Sequence, residues 1–171
     1  YLREAACDPA LNAHEKTVAV IGAGDTANDC IATALRQGAR DIIQLIRRPA
    51  TDYGAATDYA HQESEAKLER DIRCFETQVA VVHANDKGAL TSITLSTPQG
   101  PTDIEAELLI VASGFTGAET YAINGVDLDE YGNIFQAGDM ATGASLVVSA
   151  MAHARKIART VDISLTGYST I

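Results

Sequence analysis

The chain has 171 residues, a formal net charge of −10 and an apolar content ordinary for a soluble α/β protein, with no tryptophan. Its length suits one domain, or one and part of another, with a core that needs no covalent staples. The acidic balance argues against nucleic acid or an anionic membrane as the main partner, and no apolar run approaches the length of a membrane span.

Three cysteines, Cys7, Cys30 and Cys74, are too few and too scattered for a disulfide framework or a C-x-x-C redox or metal motif, which suits a reducing cytoplasm. Tyr1-Leu2-Arg3-Glu4 has no signal-peptide architecture, and the missing initiator Met points to a processed, trimmed or excised chain.

Residues 1–16 read as a lead-in, with a short helix over Leu2–Ala6 and a connection containing Pro9. Thr17–Ile21 is an apolar strand that stops at Gly22, and Asp25–Gln37 is a helix with Ile31, Ala34 and Leu35 at helical spacing and Gly38 as its stop. Asp41–Ile46 is a second strand, apolar enough to be parallel and buried on both faces. Strand, helix and strand form one βαβ unit. Ala50–Thr57 reads as a loop and Tyr59–Arg70 as a charged helix turning only Ala66 and Leu68 inward. Gln78–His83 and Leu90–Leu95 flank the turn Asp86-Lys87-Gly88 as a hairpin, and Gln99-Gly100-Pro101 is another turn. Glu107–Ala112 is a second buried strand ending at Ser113-Gly114, and with the hairpin it is expected to build a second face of the same sheet. Gly125–Asn133 is an acidic, turn-rich region and Ile134–Ala137 a short strand. A long helix runs from Ser145 to about Leu165, with Val147, Ala150, Met151, Ala154, Ile157, Val161 and Leu165 as a core-facing stripe.

The order strand, glycine turn, helix at Val18–Asn28 gives the pattern G-x-G-x-x-A. Gly22 permits a tight turn, Gly24 a close approach of backbone to phosphate, and Ala27 close packing of helix on strand. A pyrophosphate would lie on Gly22, Ala23, Gly24, Asp25 and Thr26 at the positive end of the new helix. Sites that hold NAD place an acid at the end of the second strand, about 20 residues past the glycines. Here Arg47 and Arg48 stand there, and guanidiniums grip a 2′-phosphate that a carboxylate would repel, so NADPH is favoured over NADH. Lys16, Arg36, Arg40, Arg47 and Arg48 make this part of an acidic chain locally basic, and the basic island is expected to surround the glycine turn. Ser113 and Gly114 are small enough to let a cofactor approach.

Other chemistries lack their parts. Tyr53 and Tyr59 have no Lys four residues on, and the glycine segment lacks the G-K-[ST] of a P-loop. His61 and Glu65 share a helical face but have no third ligand nearby in sequence, so no metal site is expected. His14, His83 and His153 stand alone, Cys30 reads as a small core residue, and no nucleophile-and-base pair is visible, so no catalytic residue is assigned.

Taken together, V-I-G-A-G-D-T-A-N-D-C at 20–30, R-Q-G-A at 36–39, R-R at 47–48, D-Y-A-H-Q-E-S-E-A-K at 58–67, A-S-G-F-T-G-A-E at 112–119, G-V-D-L-D-E-Y-G-N-I at 125–134 and A-G-D-M-A-T-G-A-S-L-V-V-S-A at 137–150 resemble the small (β) subunit of glutamate synthase. The resemblance implies a Rossmann-like α/β fold, a parallel sheet flanked by helices with a small β-hairpin and a long C-terminal helix. It implies a lead-in over 1–16, an NAD(P)H-binding domain over 17–134 and the C-terminal piece of a FAD domain over 135–171. The family's chemistry is hydride transfer from NADPH to FAD. Electrons then pass to iron–sulfur clusters and a large subunit that makes glutamate from glutamine and 2-oxoglutarate. By the same resemblance Gly138 and Asp139 belong to the flavin motif, and Ser145, Leu146 and Val147 open a helix facing the flavin ring. The family's own FAD glycine motif and cluster cysteines precede the position of Tyr1, and the connections after Arg48 and after Asn133 look shortened. An NADPH-binding fragment without turnover of its own is therefore expected. A dihydropyrimidine dehydrogenase-like or thioredoxin reductase-like reductase, the latter disfavoured by the missing C-x-x-C, and a non-catalytic assembly or regulatory module are the rivals.

Overall fold

The computed structural model describes residues 1–5, 8–53, 59–114 and 132–170. The chain divides into two compact units, 1–114 and 115–171. The expectations for Ala6, Cys7, Gly54–Thr57 and most of the acidic stretch before Asn133 lie outside the described residues.

In the first unit, β1 (Thr17–Ile21), β2 (Asp41–Leu45), β3 (Arg73–Cys74) and β7 (Leu108–Val111) form a parallel sheet in the order β3-β2-β1-β7. The register aligns Ile21 with Leu45 on one side and with Val111 on the other, so all three strands end at one level. β4 (Gln78–Ala84), β5 (Leu90–Thr97) and β6 (Gly100–Glu105) form a separate antiparallel meander. Helices α1 (Asp25–Arg36) and α2 (Tyr59–Leu68) complete this unit.

Alternation along the parallel strands explains the three layers. Val18, Val20, Ile42, Leu108 and Ile110 pack with Ala27, Cys30, Ile31, Ala34 and Leu35 of α1 and with Ala60 of α2. Their neighbours Ala19, Ile21, Ile43, Leu45 and Leu109 pack with Ile93, Leu95 and Ala106 of the meander. A parallel sheet covered on both faces needs apolar side chains at every position, which is why these strands read as continuous apolar runs. Truncating a fully buried side chain such as Ile31 to Ala should remove about 2–5 kcal/mol of stability.

α1 ends as its sequence dictates. Gly38 takes φ 83°, its N–H reaches Leu35 O and Ala39 N reaches Ala34 O, which satisfies the last carbonyls. The lead-in closes over this end: Gln37 accepts from Tyr1 Oη (2.8 Å) and Ala13 N (2.9 Å) and donates to Ala5 O (3.3 Å). Burial pushes the Tyr1 phenol up to about 12, with Cys30 a smaller contributor.

Several local expectations need correcting. Leu2–Ala5 is a hydrogen-bonded turn, with both Glu4 N and Ala5 N on Tyr1 O, and Pro9–Leu11 is a 3-10 turn capped by Asp8. The hairpin is not part of the parallel sheet, because it lies across one face of it as its own layer. It also carries a third strand, β6, which Gly100 and Pro101 conceal in sequence. An edge strand tolerates a proline and the charges of Asp103 and Glu105. β3 is only two residues long, below any periodic signal. On α2 the inward residues are Ala60, His61 and Ser64, while Ala66 is exposed and Leu68 half-buried.

The second unit contains α3 (Asp139–Thr142) and α4 (Val147–Thr166), the latter closed by Gly167 in the left-handed region. Ile134–Ala137 forms no strand. The α4 stripe is not core: no residue of α4 is buried, Val147, Met151 and Leu165 are exposed, and Ala150, Ala154, Ile157 and Val161 are half-buried. Among the described residues the second unit offers this helix no sheet to pack on. No helix among them is long and apolar enough to cross a membrane.

Candidate dinucleotide site

The sheet order places β2 and β7 on opposite sides of β1, so the direction of winding reverses there. Ligands of open parallel sheets bind outside the C-terminal ends of the strands at such a point. The segments that leave those ends are Gly22–Gly24 after β1, Ile46–Arg48 after β2 and Ala112–Gly114 after β7.

Gly22 has φ 132°, and a Cβ built on it would lie 2.2 Å from Ala112 O. Only glycine fits where β1 turns against the end of β7. Its N–H bonds Leu45 O at 3.1 Å and its carbonyl accepts from Gln44 Nε2 at 2.9 Å. Gly24, the N-cap of α1, has ordinary extended backbone and nothing within 4 Å of a built Cβ. Among the described residues no acceptor lies within hydrogen-bonding range of the N–H groups of Ala23, Gly24, Asp25 and Thr26, and no side chain caps the helix. Ala27 is fully buried under them. Uncapped N–H groups at the positive end of a helix, beside open space, are what a phosphate needs.

Arg47 and Arg48 are both exposed beyond β2. Their backbone is held by a parallel-running segment after β3: Ile46 N donates to Cys74 O (2.9 Å), Glu76 N to Arg48 O (3.2 Å) and Thr77 N to Ile46 O (3.0 Å). The Arg48 guanidinium lies 5.1 Å from the Tyr53 ring centroid and its Nε donates to Tyr53 Oη at 3.1 Å. Tyr53 in turn packs on Phe75 (5.7 Å), with Arg73 5.3 Å over the Phe75 ring. Asp71 accepts from Arg73, and this hydrogen bond holds its carboxyl below the usual range against the opposing effect of burial. Burial pushes the half-buried Cys74 thiol up. Arg47 has no partner among the described residues and stands free to meet a ligand.

Beneath the turn lies a buried polar chain. Gln44, fully buried on β2, offers Oε1 to His61 Nε2 of α2 at 2.6 Å while its Nε2 holds the Gly22 carbonyl. Ser64 Oγ, also buried, donates to the His61 carbonyl at 2.9 Å.

Of the residues singled out from sequence, the structure brings Gly22, Ala23, Gly24, Asp25, Thr26 and Ala27 together, seats Ser113 beside Gly22, and puts Gly114, Arg47 and Arg48 at the same end of the sheet. The basic island is split, however. Arg40 pairs with Glu107 at 2.6 Å and bonds Thr17, and Lys16 bonds Ala10 O, all at the opposite ends of the strands. Gly138, Asp139, Ser145, Leu146 and Val147 belong to the second unit. There Ser145 Oγ donates to Asp139 Oδ1 (2.7 Å), Gly138 N donates to His153 Nδ1 (3.1 Å), and α4 begins with no side-chain cap. Gln44, His61, Tyr53, Phe75 and Arg73 were not foreseen as site residues. A single polar residue inside D-I-I-Q-L-I was the one available signal for Gln44. Among the described residues no three His, Cys, Asp or Glu are grouped to hold a metal.

The chain has relatives among known proteins. The chain is 31% identical to the glutamate synthase [NADPH] small chain of Bacillus subtilis, across 94% of the chain and 42% of the relative. It is 30% identical to that of Mycobacterium tuberculosis, across 95% and 40% respectively. It thus spans about two fifths of the length of these relatives. The Bacillus match extends over 205 positions although the chain has 171 residues, so the relative carries segments inside the matched span that this chain lacks. Among solved structures, thioredoxin reductase of T. acidophilum superposes with a TM-score of 0.65 at 19% identity, covering 90% of this chain and 54% of that one. Bacillithiol disulfide reductase of Bacillus cereus gives 0.60 at 18%, covering 87% and 50%. Both share the Rossmann-type α/β fold. Residues 3–154 match the pyridine nucleotide-disulphide oxidoreductase family, and the chain belongs to that family.

Proposed function

We propose that this chain is the NADPH-binding part of a flavin-dependent oxidoreductase of the glutamate synthase small-chain type. The observation that carries this reading is the pairing of two features at one end of the sheet. One is a cradle of unpaired N–H groups at Ala23–Thr26 beside open space at Gly24. The other is the exposed pair Arg47 and Arg48 beyond the neighbouring strand. The first suits a pyrophosphate and the second a 2′-phosphate. Tyr53 holds Arg48 in place by ring face and hydroxyl, so less side-chain freedom is lost when an anion binds. Ser113 and Gly114 line the same end. The bacterial small chains are named for NADPH and support the choice of cofactor, whereas two fungal relatives are named for NADH.

In the whole enzyme NADPH would supply a hydride to FAD, and electrons would pass on to a large subunit that forms glutamate from glutamine and 2-oxoglutarate. The described residues suit a flavin in part. Gly138 and Asp139 form a polar turn steadied by Ser145, and the uncapped start of α4 at Leu146 and Val147 favours developing negative charge. The second unit accordingly holds a piece of the flavin site, and the chain alone binds nucleotide without turning over.

Replacing Arg47 and Arg48 together by Ala tests the reading. NADPH affinity should fall by at least about tenfold, as the loss of charge-assisted contacts implies, with NADH affinity unchanged. Equal losses for both nucleotides would show that the pair merely supports the fold.

A further inference from the structure

We propose that Gln44 and His61 are positioning residues for the pyrophosphate cradle, acting through the Gly22 carbonyl. The inference rests on the dinucleotide reading above and deepens it. Gly22 presents only a carbonyl oxygen to Gln44, at 2.9 Å. The nearer end of the Gln44 amide is therefore its NH2 group, since the reverse orientation would set two acceptors against each other. That leaves Oε1 facing His61 Nε2 at 2.6 Å, so this ring nitrogen carries the proton and donates. The direction of the whole chain is thus set: His61 to Gln44 to Gly22.

The consequence falls on the next amide. No peptide bond among the described residues is cis, so the N–H of Ala23 points opposite to the Gly22 carbonyl that shares its plane. With the carbonyl drawn down to Gln44, the Ala23 N–H faces away from that buried side chain. Were the plane free to rotate, a glycine at φ 132° would offer little resistance, and the carbonyl would be presented to an incoming phosphate in place of the N–H. The Gly22 N–H is already held by Leu45 O, so the side-chain chain completes the clamp. It also accounts for an otherwise costly arrangement. A glutamine at the centre of an apolar parallel strand and a histidine 8% exposed are both polar groups withdrawn from water, and each satisfies the other. α2 brings that donor into the layer beside its buried Ala60.

The test uses the 171-residue chain with two probes, NADPH and adenosine 2′-monophosphate, the second needing Arg47 and Arg48 but not the glycine turn. Gln44→Met, similar in volume and unable to donate, should weaken NADPH by about tenfold or more and leave adenosine 2′-monophosphate within twofold. The Ala23 amide resonance should shift in the unliganded variant. Should Gln44→Met fail to fold, His61→Leu serves instead and should show the same split more weakly. NADPH affinity unchanged in the variants, or equal losses for both probes, would overturn the proposal. Failure of the unaltered chain to bind NADPH at all would refute the proposed function itself, and the positioning role with it.

Discussion

Gly22 and Gly24 look alike in the motif but carry opposite burdens, and exchanging each for Ala separates them. At Gly22 an alanine meets two penalties. Its φ of 132° lies where L-residues are strained by about 1–3 kcal/mol, and its Cβ would be 2.2 Å from a backbone oxygen that cannot swing away. Relieving that overlap by moving β7 against β1 adds about 1–3 kcal/mol, as for other overpacked cores. The sum, about 2–6 kcal/mol, is a large part of the stability of an ordinary domain. For a chain of this size it corresponds to a melting temperature lower by about 5–20 °C. At Gly24 the backbone is extended and a Cβ meets nothing within 4 Å, so Gly24→Ala should leave the melting temperature unchanged or slightly raised. Its methyl would nevertheless occupy the space over the N–H cradle and weaken NADPH by about tenfold. Thermal unfolding followed by circular dichroism, with NADPH titration of each variant at a temperature where it is folded, reads both effects. A Gly22→Ala chain that melts with the unaltered one, or a Gly24→Ala chain that binds NADPH equally well, would refute the reasoning.

Other outcomes follow from the same geometry. Tyr53→Ala frees the Arg48 guanidinium, and NADPH binding measured by calorimetry should weaken by about 0.5–1 kcal/mol, less than for Arg48→Ala. Asp71 has its folded value lowered by Arg73, so the pair stabilises above the unfolded carboxyl value of about 3.9 and the contribution is lost as pH falls below it. Asp71→Asn should therefore cost at most a few tenths of a kcal/mol at neutral pH, the Asp71 carboxylate being about half exposed to screening water, and nothing at pH 2 in denaturant titrations. Tyr1 is raised to about 12, so its neutral form is favoured by folding, and that stability is present below the unfolded value and lost as pH climbs through the folded one. Ultraviolet titration should show a phenol that ionises near pH 12, and Tyr1→Phe should remove it.

The parts of this fold that were legible in sequence are those where one local rule decides. Thr17–Ile21, α1 and Asp41–Leu45 follow from apolar runs, helical spacing and glycine punctuation, and the structure places them within a residue of expectation. What stayed hidden depends on partners distant in the chain. β6 is polar because it is an edge, so no alternation marks it, and β3 exists only because Gln44 and Leu45 offer it a ladder. α2 turns Ala60 into the core and His61 onto Gln44, 17 residues earlier in the chain, a partner that helical spacing does not reveal. Lys16 and Arg40 are near the glycines in sequence but at the other ends of the strands, because a β-strand carries its two ends apart. The α4 stripe shows the converse: helical periodicity marks an apolar face, yet no residue of that face is buried.

The most direct test of the central claim is a calorimetric titration of the unaltered chain with NADPH and, separately, NADH, without added flavin. The account predicts saturable binding of one NADPH, at least about tenfold tighter than NADH, as two exposed guanidiniums meeting a 2′-phosphate require. Tighter binding of NADH, or no heat with either nucleotide, would contradict it.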